Sequence, residues 1–484
     1  RRPSGDPAQR GSTLGSGAVH TPQRMPPGNL DSGVGVVEKR VPLTSVHLLC
    51  ICGKDRGAVT PEEIRRVAMF SVHTSPLEQP GTGDAGGMNV YVAQTARWIA
   101  TAGAEVDVFT RATSSRQPET VQMAPRVTVH NLPAGPFDGL RKEDLPGQVC
   151  PFTAELMRLT MARPENHYDV VHSHYWLSGQ AGWLAAQRWN VPLVHSMHTM
   201  AKVKNSALAS ADEPEPLIRV VGEEQIVTAS DHLIANTADE RYDLIRHYGA
   251  DPSSVSVVHP GVDLDVFAPR DRAEARRRTQ LPADKQIVLF VGRIQPLKAP
   301  DLLVRAIADL VRREPWRRDS LQLVICGGLS GNGLAQPDEL VRLAAEGGIS
   351  DLVTFRAPVP PDDLADLYAA ADIVAVPSYS ESFGLVAVEA QACGTPVVAA
   401  AVGGLRTAVS HRSSGLLVDG HDPQLWSQTL AAVLSDHELR VRMGDSARGH
   451  AEKFSWAATA AGTLSVYSDA VTRTRADRLL QAVN

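Results

Sequence analysis

Two positively charged side chains in the second half of the chain are suited to a diphosphate. Arg293 and Lys298 come directly after the apolar run IVLFVG at 287–292. Arginine offers a rigid fork of N–H donors to phosphate oxygens, and lysine offers a movable positive charge. Both residue types usually lie solvated on the surface. Their position at the end of a predicted strand is what favours a role in neutralising a pyrophosphate leaving group.

A pair of carboxylates, Glu381 and Glu389, flanks a largely apolar stretch. On one helix, a separation of eight residues places two side chains about 80° apart. We expect that helix to begin at Glu381, so that the N–H groups of Ser382–Leu385 are free to bind a diphosphate. One carboxylate would then bind a sugar hydroxyl and the other a ribose diol. A capping role would explain Glu381 alone, but it does not explain a charge at Glu389 within an apolar run.

A glycine-containing segment, Asp84-Ala-Gly-Gly-Met-Asn89, precedes a predicted helix at Met88–Ala102. Paired glycines allow backbone N–H groups to approach a ligand, and a helix N-terminus favours an anion. The segment is not a G-x-G-x-x-G motif, and no distinctive acidic residue follows it about twenty positions later. A dinucleotide site is therefore weakly supported, and an ordinary tight turn is an equal alternative.

A dispersed set in the first half of the chain suits a phosphate pocket that faces the second half. Its members are His73, Lys142, Tyr175, Thr199 and Arg219. Taken singly, the lysine and the arginine are more often surface charges, and the histidine and the tyrosine are more often partly buried packing residues. Only as a group do they indicate an anion site.

These candidates lie in loops that follow predicted strands, so the fold decides whether they meet. Short apolar runs alternate with helical spacing, which predicts βαβ units and parallel sheets. The runs fall into two series, at 66–72, 106–110, 127–132, 169–173, 191–197 and 232–236, and at 287–292, 321–327, 353–355, 373–377, 396–400 and 415–418. Ligands bind at the carboxyl ends of such strands. We therefore predict an α/β protein with two doubly wound Rossmann-like domains that face a central cleft.

Composition divides the 484 residues into four parts. We expect residues 1–64 to be a disordered extension, since its first 40 residues are rich in glycine, proline, serine and arginine. Residues 65–262 and 263–455 are expected to be the two domains, with prolines and glycines near the boundary. The sequence pattern of residues 456–484 predicts a helix that packs back on the first domain.

Charge and cysteine content exclude several classes of protein. The formal net charge of −6 argues against bulk binding to nucleic acid or to a membrane surface. Five scattered cysteines do not form a disulfide framework and predict reduced thiols. No apolar run reaches the ~18 residues of a transmembrane helix. A cytoplasmic location is therefore predicted.

The motifs resemble those of the retaining GT-B glycosyltransferases of family 4, whose marks here are Gly292-Arg293-x4-Lys298 and Glu381-x7-Glu389. A longer stretch from His73 to Tyr91, with HSHYW at 172–176 and SMHTM at 196–200, is more specific. It is similar to the branch of that family that acts on D-inositol 3-phosphate in mycothiol biosynthesis. The similarity covers residues 65–469.

The resemblance implies a reaction. N-acetylglucosamine moves from UDP-N-acetylglucosamine to the 1-hydroxyl of 1D-myo-inositol 3-phosphate, with retention, and UDP is released. The first domain would bind the acceptor and the second the nucleotide sugar. No carboxylate is evident as a nucleophile on the opposite face of the sugar, so front-face attack is expected, with the leaving phosphate accepting the acceptor's proton.

The resemblance also implies roles for individual residues. The acceptor phosphate would be bound by Lys142, Tyr175, Thr199 and Arg219. The inositol ring would be lined by His73, Asp84, Ala85, Gly86, Gly87, Met88 and Asn89. The donor would be bound by Gln79, Pro80, Gly87, Arg293, Lys298, Val359, Glu381 and Glu389, with uracil meeting the backbone of Val359. The catalytic set would be Arg293, Lys298, Glu381 and His198.

No metal is required by this chemistry, because arginine and lysine replace it. The resemblance implies a structural Mg²⁺ held by the carbonyls of Tyr368, Ala369 and Ala371 and the hydroxyl of Thr395. It also implies a homodimer.

Two alternatives stay open. One is another family-4 enzyme, such as a sucrose-phosphate synthase or a phosphatidylinositol mannosyltransferase. The other is a non-catalytic sensor of sugar nucleotides, which would not need both the acceptor pocket and the leaving-group charges.

Overall fold

Two sheets organise the computed structural model, which describes residues 59–137, 140–206, 208, 213–328 and 338–483. The first sheet has eight strands in the order β3-β4-β2-β1-β5-β6-β7-β8. Only the edge strand β3 is antiparallel to its neighbour. The strands are β1 Arg66–Phe70, β2 Glu105–Arg111, β3 Thr120–Ala124, β4 Val127–Leu132, β5 Val170–His174, β6 Leu193–Ser196, β7 His232–Ala235 and β8 Val255–Val257.

Six helices connect these strands. They are α1 Gly87–Thr101, α2 Val149–Thr160, α3 Trp176–Trp189, α4 Ala201–Ser206, α5 Leu217–Ala229 and α6 Ala238–Tyr248. Alternate residues of β1 enter two different cores: Val67 and Met69 pack into one, and Ala68 and Phe70 into the other. Because successive strand residues point to opposite faces, both faces of this sheet are buried, as a doubly wound fold requires.

The second sheet has six parallel strands in the order β11-β10-β9-β12-β13-β14. Its strands are β9 Gln286–Val291, β10 Leu321–Cys326, β11 Val353–Arg356, β12 Ile373–Val376, β13 Val397–Ala400 and β14 Gly415–Val418. Its helices are α7 Arg272–Arg278, α8 Pro300–Arg313, α9 Glu339–Glu346, α10 Pro361–Ala370, α11 Leu385–Ala392, α12 Leu405–Ala408, α13 Pro423–Ser435 and α14 His437–Ala451. The predicted class, two Rossmann-like α/β domains, is confirmed.

The last helix, α15, spans Trp456–Val483 and packs against α1, β6 and β7 of the first half of the chain. Its residues Leu464, Tyr467 and Val471 belong to the same core as Val67 and Met69. The hydroxyl of Tyr467 also contacts a histidine ring of β5. The first sheet is therefore completed by residues from the far end of the chain.

The polypeptide passes between the two sheets at two places that lie side by side. The first passage follows β8, and the second precedes α15. Val262 forms a bridge with Ser455, and its N–H donates to the carbonyl of Phe454 at 3.1 Å. A side chain at Gly261 would overlap the backbone of Trp456. The two passages are thus packed backbone to backbone.

The first domain includes residues before the boundary expected at residue 64. Residues 1–58 lie outside the described residues, but Val59 and Ile64 are buried in the core beside α15. The N–H of Val59 donates to Thr472 Oγ1 at 2.9 Å. Residues 59–64 are therefore part of the first domain. They were not predicted because their sequence shows no apolar periodicity. A helix that is distant in sequence buries them.

Candidate functional site

A cavity of about 1640 Å³ lies between the carboxyl ends of the two sheets. Most of the predicted site residues line it: His73, Gln79, Pro80, Asp84, Gly86, Gly87, Met88, Tyr175, His198, Thr199, Arg219, Arg293, Lys298, Val359, Glu381 and Glu389. Ala85 and Asn89 are buried beneath it. Lys142 begins a short 3-10 helix, and its side chain lies outside the described part of the structure.

Arg293 and Lys298 occupy the loop that follows β9. Lys298 Nζ forms an ion pair with a carboxylate oxygen of Glu381, which also accepts a hydrogen bond from Ser378 Oγ at 3.3 Å. Arg293 is packed against Gly86 of the opposite domain. Burial lowers the pKa of Arg293, while the nearby charges of Asp84 and Glu381 oppose that shift. The loop therefore presents two cations, one of which, Lys298, is held in place by a carboxylate.

Helix α11 begins at Leu385, not at Glu381 as predicted. Gly384 has φ +101°, a left-handed conformation that stops the helix from extending further toward the N-terminus. A side chain at Gly384 would lie 2.6 Å from a methyl group of Leu405. Glu381 consequently sits in the loop before the helix, and only Glu389 is on it. The angle of 80° expected for one continuous helix does not apply.

Glu389 lies in the middle of helix α11 and lines the cavity. Tyr368 donates its hydroxyl to Glu389 Oε2 at 2.9 Å. Desolvation raises the pKa of Glu389 to about 7, although the hydrogen bond from Tyr368 opposes the shift. Near neutral pH this carboxyl therefore exists in both protonation states, and it accepts two hydroxyl protons only when ionised.

Contacts across the cavity join loops of the two sheets. Gln79 Nε2 donates to the carbonyl of Val359 at 3.0 Å, and Ser382 Oγ donates to the carbonyl of His198. The carbonyl of Val359, predicted to meet uracil, is therefore bonded to a side chain of the first domain. The two halves of the site are already in contact.

The segment 84–89 is held from below by Asn89. Its side-chain oxygen accepts from the N–H of Gly86 at 2.9 Å, and its side-chain nitrogen donates to Thr74 Oγ1 at 2.7 Å and to the Ser75 carbonyl at 2.6 Å. The amide of Asn89 is thus committed to the loop and does not reach the cavity. We therefore assign Asn89 a positioning role in place of the direct inositol contact that the resemblance implied.

His198 belongs to a group of histidines behind the cavity. Its Nε2 is 3.0 Å from Nδ1 of His174, and its ring meets Tyr91 edge to face with 4.9 Å between centroids. Burial lowers the pKa of His198 to about 3, so the ring is neutral at physiological pH. The φ of His198 is +59°, and that of Tyr175 is +73°. Such backbone strain in residues other than glycine is concentrated at functional sites.

The residues that were grouped as a phosphate pocket lie around Arg219 on α5. Its Nη2 donates to Thr199 Oγ1 at 2.8 Å, and its guanidinium lies 5.0 Å from the ring centre of Tyr175. The ring of His73 is 4.3 Å from that of Tyr175. Arg219 is only 3% exposed, so it is not the surface charge that its residue type favours. The structure therefore brings together four of the five residues that were grouped from sequence.

Two carboxylates that the sequence did not single out hold Arg219 in this pocket. Glu223 Oε1 accepts from Arg219 Nε at 2.7 Å, and Glu215 Oε2 is 2.8 Å from Arg219 Nη1. Glu223 lies four residues after Arg219 on α5, a spacing at which helical side chains meet. That spacing is a signal that sequence inspection could have used. Glu215 lies just before the helix, where no periodicity indicates it.

The four residues implied for Mg²⁺ are buried and lie outside the cavity lining. Thr395 Oγ1 donates to the carbonyl of Tyr368 at 2.7 Å, so two of the four proposed oxygen ligands are adjacent. An all-oxygen set suits a hard cation. Within the described residues, no group of three or more histidine, cysteine or acidic side chains is arranged to hold a metal. The Tyr368 carbonyl also accepts from the N–H of Ala371 at 3.2 Å, and the structural Mg²⁺ stays a prediction.

The chain matches two protein families over most of its described length. Residues 86–261 match the family described as Glycosyl transferase 4-like domain, and residues 271–450 match Glycosyl transferases group 1. Across the described ranges, no helix has the length and apolar character needed to cross a membrane.

Curated relatives are similar over nearly their full length. A D-inositol 3-phosphate glycosyltransferase of Salinispora arenicola is 58% identical over 425 residues, which are 87% of this chain and 95% of the relative. One of Kineococcus radiotolerans is also 58% identical, over 86% of this chain and 98% of its own.

Solved structures share the fold. A sucrose-phosphate synthase from Thermosynechococcus elongatus superposes with a TM-score of 0.75 at 32% identity, covering 87% of this chain and 100% of that one. An Anabaena protein, HepE, in complex with UDP and glucose has a TM-score of 0.64 at 20% identity, covering 82% and 97%. At that identity the second likeness concerns the fold alone.

Proposed function

Since the chain belongs to the D-inositol 3-phosphate glycosyltransferases of glycosyltransferase family 4, we propose that it transfers N-acetylglucosamine from UDP-N-acetylglucosamine to 1D-myo-inositol 3-phosphate with retention. One observation carries the proposal: a single cavity has a cationic group at each side. Arg293 and Lys298 lie on the second-sheet side, and Arg219 lies on the first-sheet side. A donor diphosphate and an acceptor phosphate require such a pair of anion sites.

The leaving group is stabilised from the second-sheet side. Departure of UDP builds negative charge on the diphosphate and positive charge on the sugar carbon. Lys298 is held in position by its ion pair before any ligand arrives, and Arg293 is packed against Gly86, so the charge that develops meets cations that are already in place. The unpaired N–H groups at the start of α11 add to it. Closure of the two domains around the ligands would exclude water and limit hydrolysis of the donor.

We favour front-face attack, with the leaving phosphate accepting the proton of the acceptor hydroxyl. Glu381, the carboxylate beside the leaving-group charges, is ion-paired with Lys298 and suits the binding of a sugar hydroxyl rather than nucleophilic attack. Glu389 suits the ribose diol when ionised. His198, neutral and at the cavity wall, is placed to donate a hydrogen bond to the transferred sugar or accept one from it.

The remaining parts of the proposal are a bound Mg²⁺ and a homodimer. Mg²⁺ would be held by Tyr368, Ala369, Ala371 and Thr395, where it would stabilise the end of α10 without entering the reaction. Elemental analysis of purified protein tests the metal. Light scattering during size-exclusion chromatography tests the assembly.

Another family-4 activity is the competing hypothesis, and a sucrose-phosphate synthase is its best example. That enzyme is 32% identical to this chain, whereas the inositol-phosphate enzymes reach 58%. The difference in identity supports the inositol-phosphate acceptor.

The deciding experiment measures UDP release from UDP-N-acetylglucosamine with 1D-myo-inositol 3-phosphate, with unphosphorylated inositol, and with no acceptor. We expect release that depends on the phosphorylated acceptor. Equal release in all three samples would reject the acceptor. The Arg219→Ala variant should then raise the acceptor KM strongly, by about tenfold or more, with little change in the donor KM. An unchanged acceptor KM would remove Arg219 from the phosphate site.

A further inference from the structure

The guanidinium of Arg219 is bonded on three sides within the pocket. Glu223 Oε1 accepts from Nε at 2.7 Å, Thr199 Oγ1 accepts from Nη2 at 2.8 Å, and Glu215 Oε2 lies 2.8 Å from Nη1. Lys204 Nζ is ion-paired with the other oxygen of Glu215. Two cations thus face two carboxylates, and the formal charge of the group is zero.

The two carboxylates have different surroundings. Glu223 is fully buried, and its Oε2 accepts from the N–H of Ala201 at 2.8 Å and from the Tyr248 hydroxyl at 2.5 Å. Glu215 lines the cavity, and its side chain is 13% exposed. Among the described residues, the Glu215 carboxylate bonds only to these two cations. Glu223 is therefore a fixed support behind Arg219, and Glu215 stands between Arg219 and the cavity.

We propose that the Glu215 carboxylate occupies the position of the acceptor's phosphate and is displaced by it. The proposal rests on the function proposed above, since it concerns how the same pocket selects its acceptor. Glu215 presents two oxygens to Arg219 and Lys204, which are the contacts that two oxygens of a phosphate would make. Binding would exchange one anion for another at these cations.

The exchange requires movement of a side chain only. The N–H of Glu215 donates to Asn205 Oδ1 at 2.7 Å, and Asn205 Nδ2 lies 3.5 Å from the Glu215 carbonyl. Prolines on both sides of Glu215 restrict the backbone further. Because Glu223 and Thr199 continue to hold Arg219, the guanidinium keeps its orientation while Glu215 rotates away.

This arrangement makes the pocket selective for charge. A phosphate dianion has more charge than the carboxylate and can replace it, whereas a neutral polyol would have to separate Glu215 from two cations without compensation. Glu215 is thus a specificity-determining residue: it disfavours unphosphorylated polyols. It also weakens phosphate binding, because like charges in contact disfavour each other.

The test is a calorimetric titration of inorganic phosphate into wild-type protein and the Glu215→Gln variant, both with saturating UDP to fill the diphosphate end. Glutamine keeps the shape of the side chain and removes its charge. We expect the variant to bind phosphate about tenfold more tightly. Equal or weaker binding would overturn the proposal, since a residue that merely orients Arg219 can only weaken binding when it is altered.

Two further variants make the result specific. Glu224→Gln removes a carboxylate of α5 that pairs with Lys202 and does not line the cavity, so phosphate affinity should be unchanged. Adding Arg219→Ala to Glu215→Gln should abolish the gain. Tighter binding that persists without Arg219 would place the phosphate elsewhere and reject the exchange. Thermal unfolding with UDP verifies that each variant is folded.

The displacement of Glu215 and the proposed function can be rejected independently of each other. If inositol 3-phosphate is not an acceptor, UDP release stays independent of it while the phosphate titrations still report on Glu215. If the reaction is as proposed but Glu215 is only structural, wild-type activity appears normally and Glu215→Gln raises the acceptor KM. In the expected case, the preference for phosphorylated over unphosphorylated inositol, measured as a ratio of kcat/KM, falls in Glu215→Gln.

Discussion

Two of the positively charged groups of the cleft, Lys298 and Arg219, are held by carboxylates. Lys298 is paired with Glu381, and Arg219 is paired with Glu215 and Glu223. Paired cations are oriented before a ligand arrives, so little reorganisation is needed when charge develops in the reaction. At the scale of residues, the site therefore depends on acidic partners as well as on the cations that are proposed to bind phosphate.

Arg293→Ala should reduce transfer strongly while the protein stays folded. Removing one preorganised donor to a developing anion lowers kcat by about 100- to 1000-fold. Rates of UDP release and the temperature of thermal unfolding are the measurements. Arg188→Ala, an exposed arginine at the end of α3 outside the cavity lining, serves as the control and should be fully active. Turnover near the wild-type rate in Arg293→Ala would remove Arg293 from the leaving-group site.

Glu389→Gln should change how stability depends on pH. The pKa of Glu389 is raised from an ordinary value of 4.5 to about 7, so the folded state holds a proton that the unfolded state has lost between these values. Its contribution to stability is therefore present below pH 4.5 and is lost as the pH rises to about 7. The variant lacks this loss, so its stability relative to wild type should rise by about 1–3 kcal/mol between pH 5 and pH 8.

Urea unfolding at the two pH values measures this difference. Glu438→Gln, which alters an exposed carboxylate of α14, should track the wild type at both. Parallel curves for Glu389→Gln and wild type would mean that Glu389 is ionised throughout the range. The same variant should bind UDP less tightly, because an amide accepts fewer hydroxyl protons than a carboxylate.

Site residues could be predicted where their charge stands out against the local sequence. They could not be predicted where only the fold brings them to the site. Arg293, Lys298 and Glu389 were chosen because their charges follow or interrupt apolar runs, and all three line the cavity. Glu215 was missed because nothing local distinguishes it from a solvated acidic residue. Its partner Arg219 is four residues later, but Glu215 lies before the start of α5, so helical spacing does not indicate the contact.

The loop between β12 and α11 shows how an element positions charge. Gly403 and Gly404, which follow β13, lie against the backbone of Glu381 and Ser382, and the N–H of Gly404 donates to the Glu381 carbonyl at 2.8 Å. The loop is thus held by backbone contacts on one side and by Lys298 on the other. Glycines are needed here because any side chain would separate the two loops.

Gly384→Ala should disturb this loop and lower activity. The added methyl group would meet Leu405 at 2.6 Å, and φ is +101°, so both steric and backbone strain follow. Gly420→Ala is a matched control, with φ +98° and nothing within 4 Å of the added atom. Strain alone costs about 1–2 kcal/mol, and overpacking adds about 1–3 kcal/mol.

Unfolding free energies of the two variants separate these contributions. UDP release should fall in Gly384→Ala and stay at the wild-type level in Gly420→Ala. Equal losses of stability and equal activities would show that the contact with Leu405 is easily relieved and that the loop is not positioned by it.

Elements were predictable to within one or two residues where an apolar run was bounded by turns. The strands at 127–132 and 415–418 match the expectation at both ends. Strand β3 was missed because it is an edge strand with a largely exposed surface, which leaves it without an apolar pattern. The start of α11 was misplaced because Gly384 interrupts a sequence that otherwise suits a helix.

At the scale of the molecule, the two backbone passages set how the sheets face each other. The ring of His259 packs against both Phe383 and Phe454, with centroid distances of 6.1 Å and 5.8 Å. Gly261 allows the passages to touch. A shift there displaces every residue of one sheet relative to the other.

Gly261→Ala should therefore impair transfer although no reacting group is altered. Forcing the passages apart costs about 1–3 kcal/mol of stability, and a displacement of about 1 Å in a reacting pair lowers the rate roughly 100-fold. Gly449→Ala on α14 is the control, because nothing lies within 4 Å of the added atom. Equal unfolding free energies and equal rates of UDP release in the two variants would show that the two passages tolerate separation.

The return of α15 to the first sheet has a consequence for the newly made chain. Tyr467 and Val471 complete a core whose strands end at Val257, so the whole second sheet must be synthesised before that core can close. At about 5–20 residues per second, translation of that interval takes roughly 10–40 s. During this time the first domain emerges from the ribosome with an uncovered apolar face. We expect chaperones to bind it then, and chains halted before residue 456 to be degraded.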